Sequence, residues 1–161
     1  MLNSHSVERL AEVCPLLAKK IFTLDKMLPS LSIQVTQGLR TWAEQDALYA
    51  QGRTTPGKIV THALGGFSWH NFALAVDLVP EDITPGQPDW DLSHPSWARM
   101  VSVAESLGLV SGAEWYGEDL DTPHVQLTGR FAVVPDDEVR SIFKQNGYIA
   151  DVWKAAFMEE I

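Results

Sequence analysis

The 161-residue sequence contains one cysteine, few basic residues and no long apolar run. The single cysteine, Cys14, cannot form an internal disulfide. Twelve Lys and Arg residues stand against 21 Asp and Glu residues, which gives a formal net charge of -9. Nucleic-acid binding depends on a basic surface, so we expect no nucleic-acid partner. The same acidic balance argues against electrostatic adhesion to anionic membranes.

No stretch of 18 or more apolar residues is present, so we expect no stable insertion in a membrane. Residues 1–6 lack the basic start and apolar stretch of a secretory signal. We therefore expect the chain to be made in the cytoplasm, with any route outward supplied by another protein. The length suits one domain, 1–161, built around a single core, and we expect a monomer.

Apolar residues recur at three- and four-residue steps in the first segment, which predicts a helix with one buried face. Pro15 lies inside that pattern and predicts a break near Cys14. Thr41 and Glu44 form a capping-box pattern that begins another helix. The members of the first apolar face are Val7, Leu10, Cys14, Leu17, Ile21 and Leu24.

Period-two alternation and turn residues predict short strands between the helices. Helices and strands do not alternate regularly enough for a parallel sheet. We therefore expect an α+β fold, a small and mainly antiparallel sheet flanked by helices, with a site in a cleft over the sheet. The predicted strands are 32–39, 74–79 and one around 125–127; the predicted helices after residue 40 are 41–51, 95–107 and a tail, 135–161, in two pieces separated by Gly147.

A histidine and an aspartate flank the start of the second predicted strand. Alternation sends Leu74, Val76 and Leu78 to the apolar face and leaves two alanines beside Asp77 on the other face. Small side chains beside a carboxylate leave room for a ligand. His70, on the turn before the strand, can reach the same space.

The later strand carries a second histidine. Val125 and Leu127 are expected to face the core, while His124 and Gln126 share the opposite face. If the two strands are close, His124 converges with the earlier histidine and aspartate. Two imidazoles and one carboxylate with an open fourth position are typical of a catalytic zinc site, where bound water becomes a nucleophile near neutral pH.

Charged residues near this set allow more than one interpretation. Asp121 is available as a general base, although Glu118 and Asp119 compete for that role and Asp121 is also a plausible turn residue. Arg40, at the end of the first strand, can stabilise charge on a substrate carbonyl. The alternative is a simple ion pair between Arg40 and Glu44, four residues on.

A family resemblance favours the zinc interpretation. The pattern Ser68-x-His70-x-x-Ala73-x-Ala75-x-Asp77 resembles the Ser-x-His-x-x-Gly-x-Ala-x-Asp signature of a family of zinc enzymes, the D-Ala-D-Ala carboxypeptidases and L-alanyl-D-glutamate endopeptidases. One departure is clear, because Ala73 replaces the glycine. Its methyl group makes a left-handed backbone costly and narrows the space beside His70.

Two further motifs follow the same family in the right order. Asp121-x-x-His124 resembles its second motif, an acidic residue three positions before the last ligand. Residues 38–41, Gly-Leu-Arg-Thr, followed by Glu44-Gln45, resemble its Gly-Tyr-Arg-Ser…Glu-Gln segment. Residues 45–61 are similar to the phage endolysin branch. The matching stretch covers about 33–127 and leaves the tail outside it.

The resemblance implies one zinc ion with His70, Asp77 and His124 as its ligands. It implies Asp121 as the base and Arg40 as the cation for the substrate carbonyl. Ser68 would hold the substrate or the site, and Gln45 would contact the substrate.

The implied partner is the peptidoglycan stem peptide. The implied activity is L-alanyl-D-glutamate endopeptidase, as in phage lysis enzymes that accumulate inside the cell and act on the wall after release through a membrane pore. The runner-up is a D-alanyl-D-alanine carboxypeptidase or dipeptidase. A third hypothesis is a zinc-containing wall-binding module without turnover. The presence of both Asp121 and Arg40 argues against this third hypothesis, because a metal site without catalytic activity needs no general base.

Overall fold

The computed structural model describes residues 1–81, 86–115, 117 and 120–158. Helices and short strands alternate irregularly along this part of the chain. None of its helices is long and apolar enough to cross a membrane. The helices are α1 Ser4–Ala11, α2 Pro15–Met27, α3 Trp42–Ala50, α4 Pro95–Ser106, α5 Asp137–Asn146 and α6 Ile149–Phe157; the strands are β1 Ile33–Gln37, β2 Ala75–Pro80, β3 Val110–Ser111 and β4 His124–Gln126.

The strands form one antiparallel sheet in the order β1-β2-β4-β3. The α+β class and the antiparallel sheet predicted from the sequence are therefore confirmed. In the centre of the sheet Asp77 of β2 pairs directly with His124 of β4, and Ala75 pairs with Gln126. This register puts the second histidine beside the aspartate.

The predicted break in the first helical segment is confirmed, because Pro15 is the first residue of α2. Proline suits that position, where a helix needs no N–H donor. The prediction that Val7 faces the core is wrong, since Val7 is 43% exposed. The inner position belongs to Ser6, whose buried hydroxyl accepts a 2.9 Å hydrogen bond from the N–H of Val35 in β1.

The C-terminal helices α5 and α6 pack against a 3₁₀ turn, Trp69–Phe72. The predicted break at Gly147 is confirmed, and this residue ends α5 in the left-handed conformation. The indole N–H of Trp153 donates to the Phe72 carbonyl at 2.8 Å. The indole N–H of Trp69, a buried residue, donates to the Val133 carbonyl at 2.7 Å. These two hydrogen bonds anchor the 3₁₀ turn that carries His70 to the C-terminal segment.

Candidate metal centre

His70 lies in the 3₁₀ turn, and the Ser68 hydroxyl caps that turn by accepting from the His70 N–H at 3.4 Å. The imidazole is 3% exposed, and its Nδ1 lies 2.8 Å from the Gly38 carbonyl oxygen. A carbonyl can only accept, so Nδ1 carries the proton. The lone pair of His70 is therefore on Nε2, which points toward β2.

His124 is oriented by a second hydrogen-bond chain. The Gln126 amide N–H donates to the Val133 carbonyl at 2.8 Å, which turns its Oε1 toward His124. Nε2 of His124 lies 2.9 Å from that oxygen and must donate to it. The lone pair of His124 is therefore on Nδ1, the opposite nitrogen from the one that His70 presents.

Asp77 completes the set of donors. Its Oδ1 lies 3.1 Å from Nε2 of His70 and 3.6 Å from Nδ1 of His124, and the two nitrogens are 3.2 Å apart. A tetrahedral ion with nitrogen and oxygen donors at 2.0–2.2 Å separates those donors by roughly 3.3–3.6 Å. The three side chains thus fit a single small cation, and two of them are buried.

The charges in this cluster stabilise one another. Burial alone would raise the pKa of Asp77, but when the two imidazoles are protonated the charge of His70 and the N–H donation from both rings outweigh it and hold the pKa far below its usual range. Burial alone would lower the pKa of His124, but the hydrogen bond and charge of Asp77 outweigh it, so the pKa of His124 is raised. Asp77 is therefore ionised at neutral pH.

Arg40 lies at the edge of the cluster. Its backbone N–H donates to the His70 carbonyl at 3.1 Å, and its Nη2 lies 3.8 Å from Oδ2 of Asp77. The alternative partner, Glu44, uses its carboxylate to accept from the Thr41 N–H at 2.8 Å, as the capping box predicted. The guanidinium thus lies beside Asp77, one of the three candidate ligands.

Asp121 lies on the segment that leads into β4. Its carbonyl accepts from the His124 N–H at 3.0 Å, and its N–H donates to the Gly112 carbonyl at 3.1 Å. A Cβ on Gly112 would come within 2.3 Å of the Asp121 carbonyl oxygen, so only glycine fits there. Partial desolvation, followed by the negative charge of Asp77, raises the pKa of Asp121. The competing bases, Glu118 and Asp119, lie outside the described residues.

Gln45 belongs to α3 and is fully buried. Its Nε2 donates to the Ala63 carbonyl at 2.9 Å and to the Thr61 hydroxyl at 3.3 Å. Its Oε1 accepts from Nη1 of Arg40 at 2.9 Å. A buried side chain offers a substrate no surface, so the direct substrate contact predicted for Gln45 is not supported.

Sequence reasoning missed three groups that support the site: the Gly38 carbonyl, the Gln126 amide and the bare backbone of Gly112. The one available signal was at Gln126, two residues from His124 on the same face of a strand. The other two act through backbone atoms, which no side-chain pattern reveals. The centroid of the Trp115 ring lies 5.1 Å from that of the His124 ring.

The fold and the donor set define an α+β chain with a candidate three-ligand metal centre on a small antiparallel sheet. The family model described as D-alanyl-D-alanine carboxypeptidase matches residues 61–127, the stretch that contains all three donors. The peptidoglycan L-alanyl-D-glutamate endopeptidase CwlK of Bacillus subtilis is 36% identical over 104 residues. That match covers 60% of this chain and 61% of the relative's length.

A solved structure agrees with the sequence matches. The crystal structure of the L-Ala D-Glu endopeptidase ChiX from Serratia marcescens superposes with a TM-score of 0.56 at 25% identity. The superposition covers 80% of this chain and 90% of that one. Together the comparisons confirm the resemblance that the motifs predicted: this chain is similar to the D-Ala-D-Ala carboxypeptidases and L-Ala-D-Glu endopeptidases.

Proposed function

We propose that this chain hydrolyses the L-alanyl-D-glutamate bond of peptidoglycan stem peptides with the help of one zinc ion. The observation that carries the proposal is the convergence of His70, Asp77 and His124 within 4.8 Å of one another, with the Arg40 guanidinium beside them. Two relatives are named for that endopeptidase activity. The chain spans about three-fifths of the curated relative's length, 61%, so the activity is inferred for the shared part.

Zinc is the metal that suits two imidazoles and one carboxylate with an open position. When bound, it supplies a Lewis acid for the peptide carbonyl and lowers the pKa of a water molecule. The Gly38 carbonyl and the Gln126 amide keep both histidines in the tautomers that a metal requires.

Asp121 is the proposed general base. Desolvation and the charge of Asp77 raise its pKa, and a raised pKa makes a carboxylate a stronger base. Its place is set by the backbone hydrogen bonds to His124 and Gly112, which hold it next to the metal ligand. The carboxylate would take the proton from the attacking water and pass it to the leaving amine.

Arg40 is the proposed cation for the carbonyl oxygen of the scissile bond. The side chain is 14% exposed, so its charge acts in a partly desolvated environment, where electrostatic stabilisation is strong. For Ser68 we propose the second of its two predicted roles, holding the site, because its hydroxyl caps the turn of His70.

The proposed biological setting is bacteriolysis by an endolysin that reaches the wall through a membrane pore made by another protein. Its support is the similarity of residues 45–61 to the phage endolysin branch. A D-alanyl-D-alanine carboxypeptidase is the second candidate, and the description of the matching family model favours it. Both candidates use the same site and differ in the bond that is cut.

Mass spectrometry of purified peptidoglycan after incubation with the protein tests the proposal. We expect new L-alanine C-termini and D-glutamate N-termini, which a chelator and Asp121→Ala each abolish. Asp91→Ala, which removes an exposed carboxylate on a different segment, is the matched control and should leave the products unchanged. Release of terminal D-alanine would move the substrate to the carboxypeptidase branch. No product from a zinc-loaded protein would contradict the proposed function.

A further inference from the structure

The guanidinium of Arg40 has few protein partners for a group that is mostly buried. Its Nη1 donates to Oε1 of Gln45 at 2.9 Å. The Nη2 contact with Asp77, at 3.8 Å, is too long for a hydrogen bond. Nε is buried without a hydrogen-bond partner among the described residues. Within that part of the chain, Gln45 is therefore the group that fixes the direction of the guanidinium.

Gln45 is itself held in a single orientation. Its Nε2 faces two acceptors, the Ala63 carbonyl and the Thr61 hydroxyl, at 2.9 and 3.3 Å. Rotating the amide by half a turn would place Oε1 against the Ala63 carbonyl, so that two acceptors faced each other. It would also place Nε2 against the guanidinium, so that two donors faced each other. The Ala63 carbonyl, the nearer of the two acceptors, thus fixes the amide, and the amide fixes Arg40.

We propose that Gln45 is a positioning residue that acts through Arg40, aiming the guanidinium at the place where the substrate carbonyl lies; the inference rests on the proposed function. The competing explanation is purely structural, in which Gln45 only ties the 61–63 loop to α3. The two explanations differ in what happens to Arg40. A positioning role requires that Arg40 lose its order when Gln45 is replaced, whereas a structural role affects only the loop and the stability.

The variants separate these roles. Gln45→Met keeps the length of the side chain but removes both ends of the hydrogen-bond chain. Gln45→Glu keeps an acceptor for Arg40 and loses the donation to the loop. Thr61→Val is the matched control, because it removes the hydroxyl acceptor in the loop and leaves the Gln45–Arg40 hydrogen bond in place.

Kinetics on a stem-peptide substrate give the first readout. We expect Gln45→Met to lower kcat by about 10- to 100-fold with a much smaller change in KM, because misplacing a group that acts in the transition state affects mainly kcat. Thr61→Val should stay within about threefold of the wild type. In an Arg40→Ala background, Gln45→Met should have little further effect, since both changes remove the same interaction. Additive losses would overturn the positioning role.

NMR relaxation of the Arg40 Nε–Hε group gives a second readout that needs no substrate. The order parameter should be high in the wild type, Thr61→Val and Gln45→Glu, and it should fall in Gln45→Met. A rigid Arg40 in Gln45→Met would overturn the inference, whatever the chain hydrolyses. If order falls while the wild type cuts no wall peptide, the positioning is supported and the proposed function alone fails.

Discussion

Nε2 of His70 lies 3.2 Å from Nδ1 of His124, although the two residues are 54 positions apart. Each ring donates its other N–H to a fixed acceptor, the Gly38 carbonyl for His70 and the Gln126 amide oxygen for His124. Two lone pairs are thereby directed at one point beside Asp77. Lone pairs at this distance repel unless a cation lies between them, so the hydrogen bonds behind the rings prepare the centre for a metal ion.

The Gln126 amide is expected to control metal affinity. Gln126→Leu removes the acceptor for Nε2 of His124, so nothing selects the tautomer that presents Nδ1 to the metal. We expect the zinc dissociation constant to rise by about 10- to 100-fold, the usual effect of losing such a partner. Competition with a chelator of known affinity measures it. Gln34→Leu, a half-buried glutamine on β1, is the control and should bind zinc as the wild type does; equal affinities in all three proteins would refute the role of Gln126.

Zinc binding is expected to depend on pH through His124. Its pKa in the metal-free protein is raised above the ordinary 6.5, and a ligating nitrogen must be unprotonated. Below that raised pKa a proton competes with the metal, so affinity should increase as pH rises through it and then level off. At pH 6.5 calorimetry in buffers of different ionisation enthalpy should show release of about one proton for each zinc ion bound.

His5→Ala is the control for this measurement, because His5 is exposed near the N-terminus. It should release as many protons as the wild type. The prediction is contradicted by zinc affinity that stays constant between pH 6 and pH 8.

Ala73 is the departure from the family signature, and its backbone is left-handed, with φ 55° and ψ 32°. An alanine in that conformation costs about 1–2 kcal/mol, and glycine recovers this at an entropic cost of roughly 0.5–1 kcal/mol. Ala73→Gly should therefore leave the free energy of unfolding unchanged or raise it by up to about 1 kcal/mol. Urea denaturation of the metal-free protein measures the difference.

Two variants bracket that result. Ala104→Gly, at an equally buried alanine inside α4, should lose about 1 kcal/mol or more, because glycine is unfavourable within a helix. Ala73→Val should destabilise by over ~2 kcal/mol, since a β-branched residue at positive φ is strained and the site is fully buried. An Ala73→Gly protein as unstable as Ala104→Gly would show that the left-handed backbone carries no strain.

Much of the centre was predictable because strands alternate. Alternation put Asp77 on the face opposite Leu74 and Val76, and the same rule put His124 beside Gln126. Antiparallel pairing of the two strands then brought Asp77 opposite His124, as the structure shows. The sequence patterns could not predict this register, because it depends on how the strands pair.

Other features required three-dimensional information. β3 is two residues long, Val110–Ser111, too short to produce any periodicity. Gln45 is polar on an otherwise half-exposed helix, so its complete burial follows only from its contacts with Arg40 and the 61–63 loop. The exposure of Val7 depended on Ser6 taking the inner position through a hydrogen bond to β1.

The most direct test of the account is the zinc content of the intact chain, measured by native mass spectrometry after loading and removal of excess metal. We predict one zinc ion for each chain in the wild type and in Asp121→Ala, and none in Asp77→Ala or His124→Ala. Zinc retained after loss of Asp77 or His124, or no zinc on the wild type, would contradict the assignment of the metal centre.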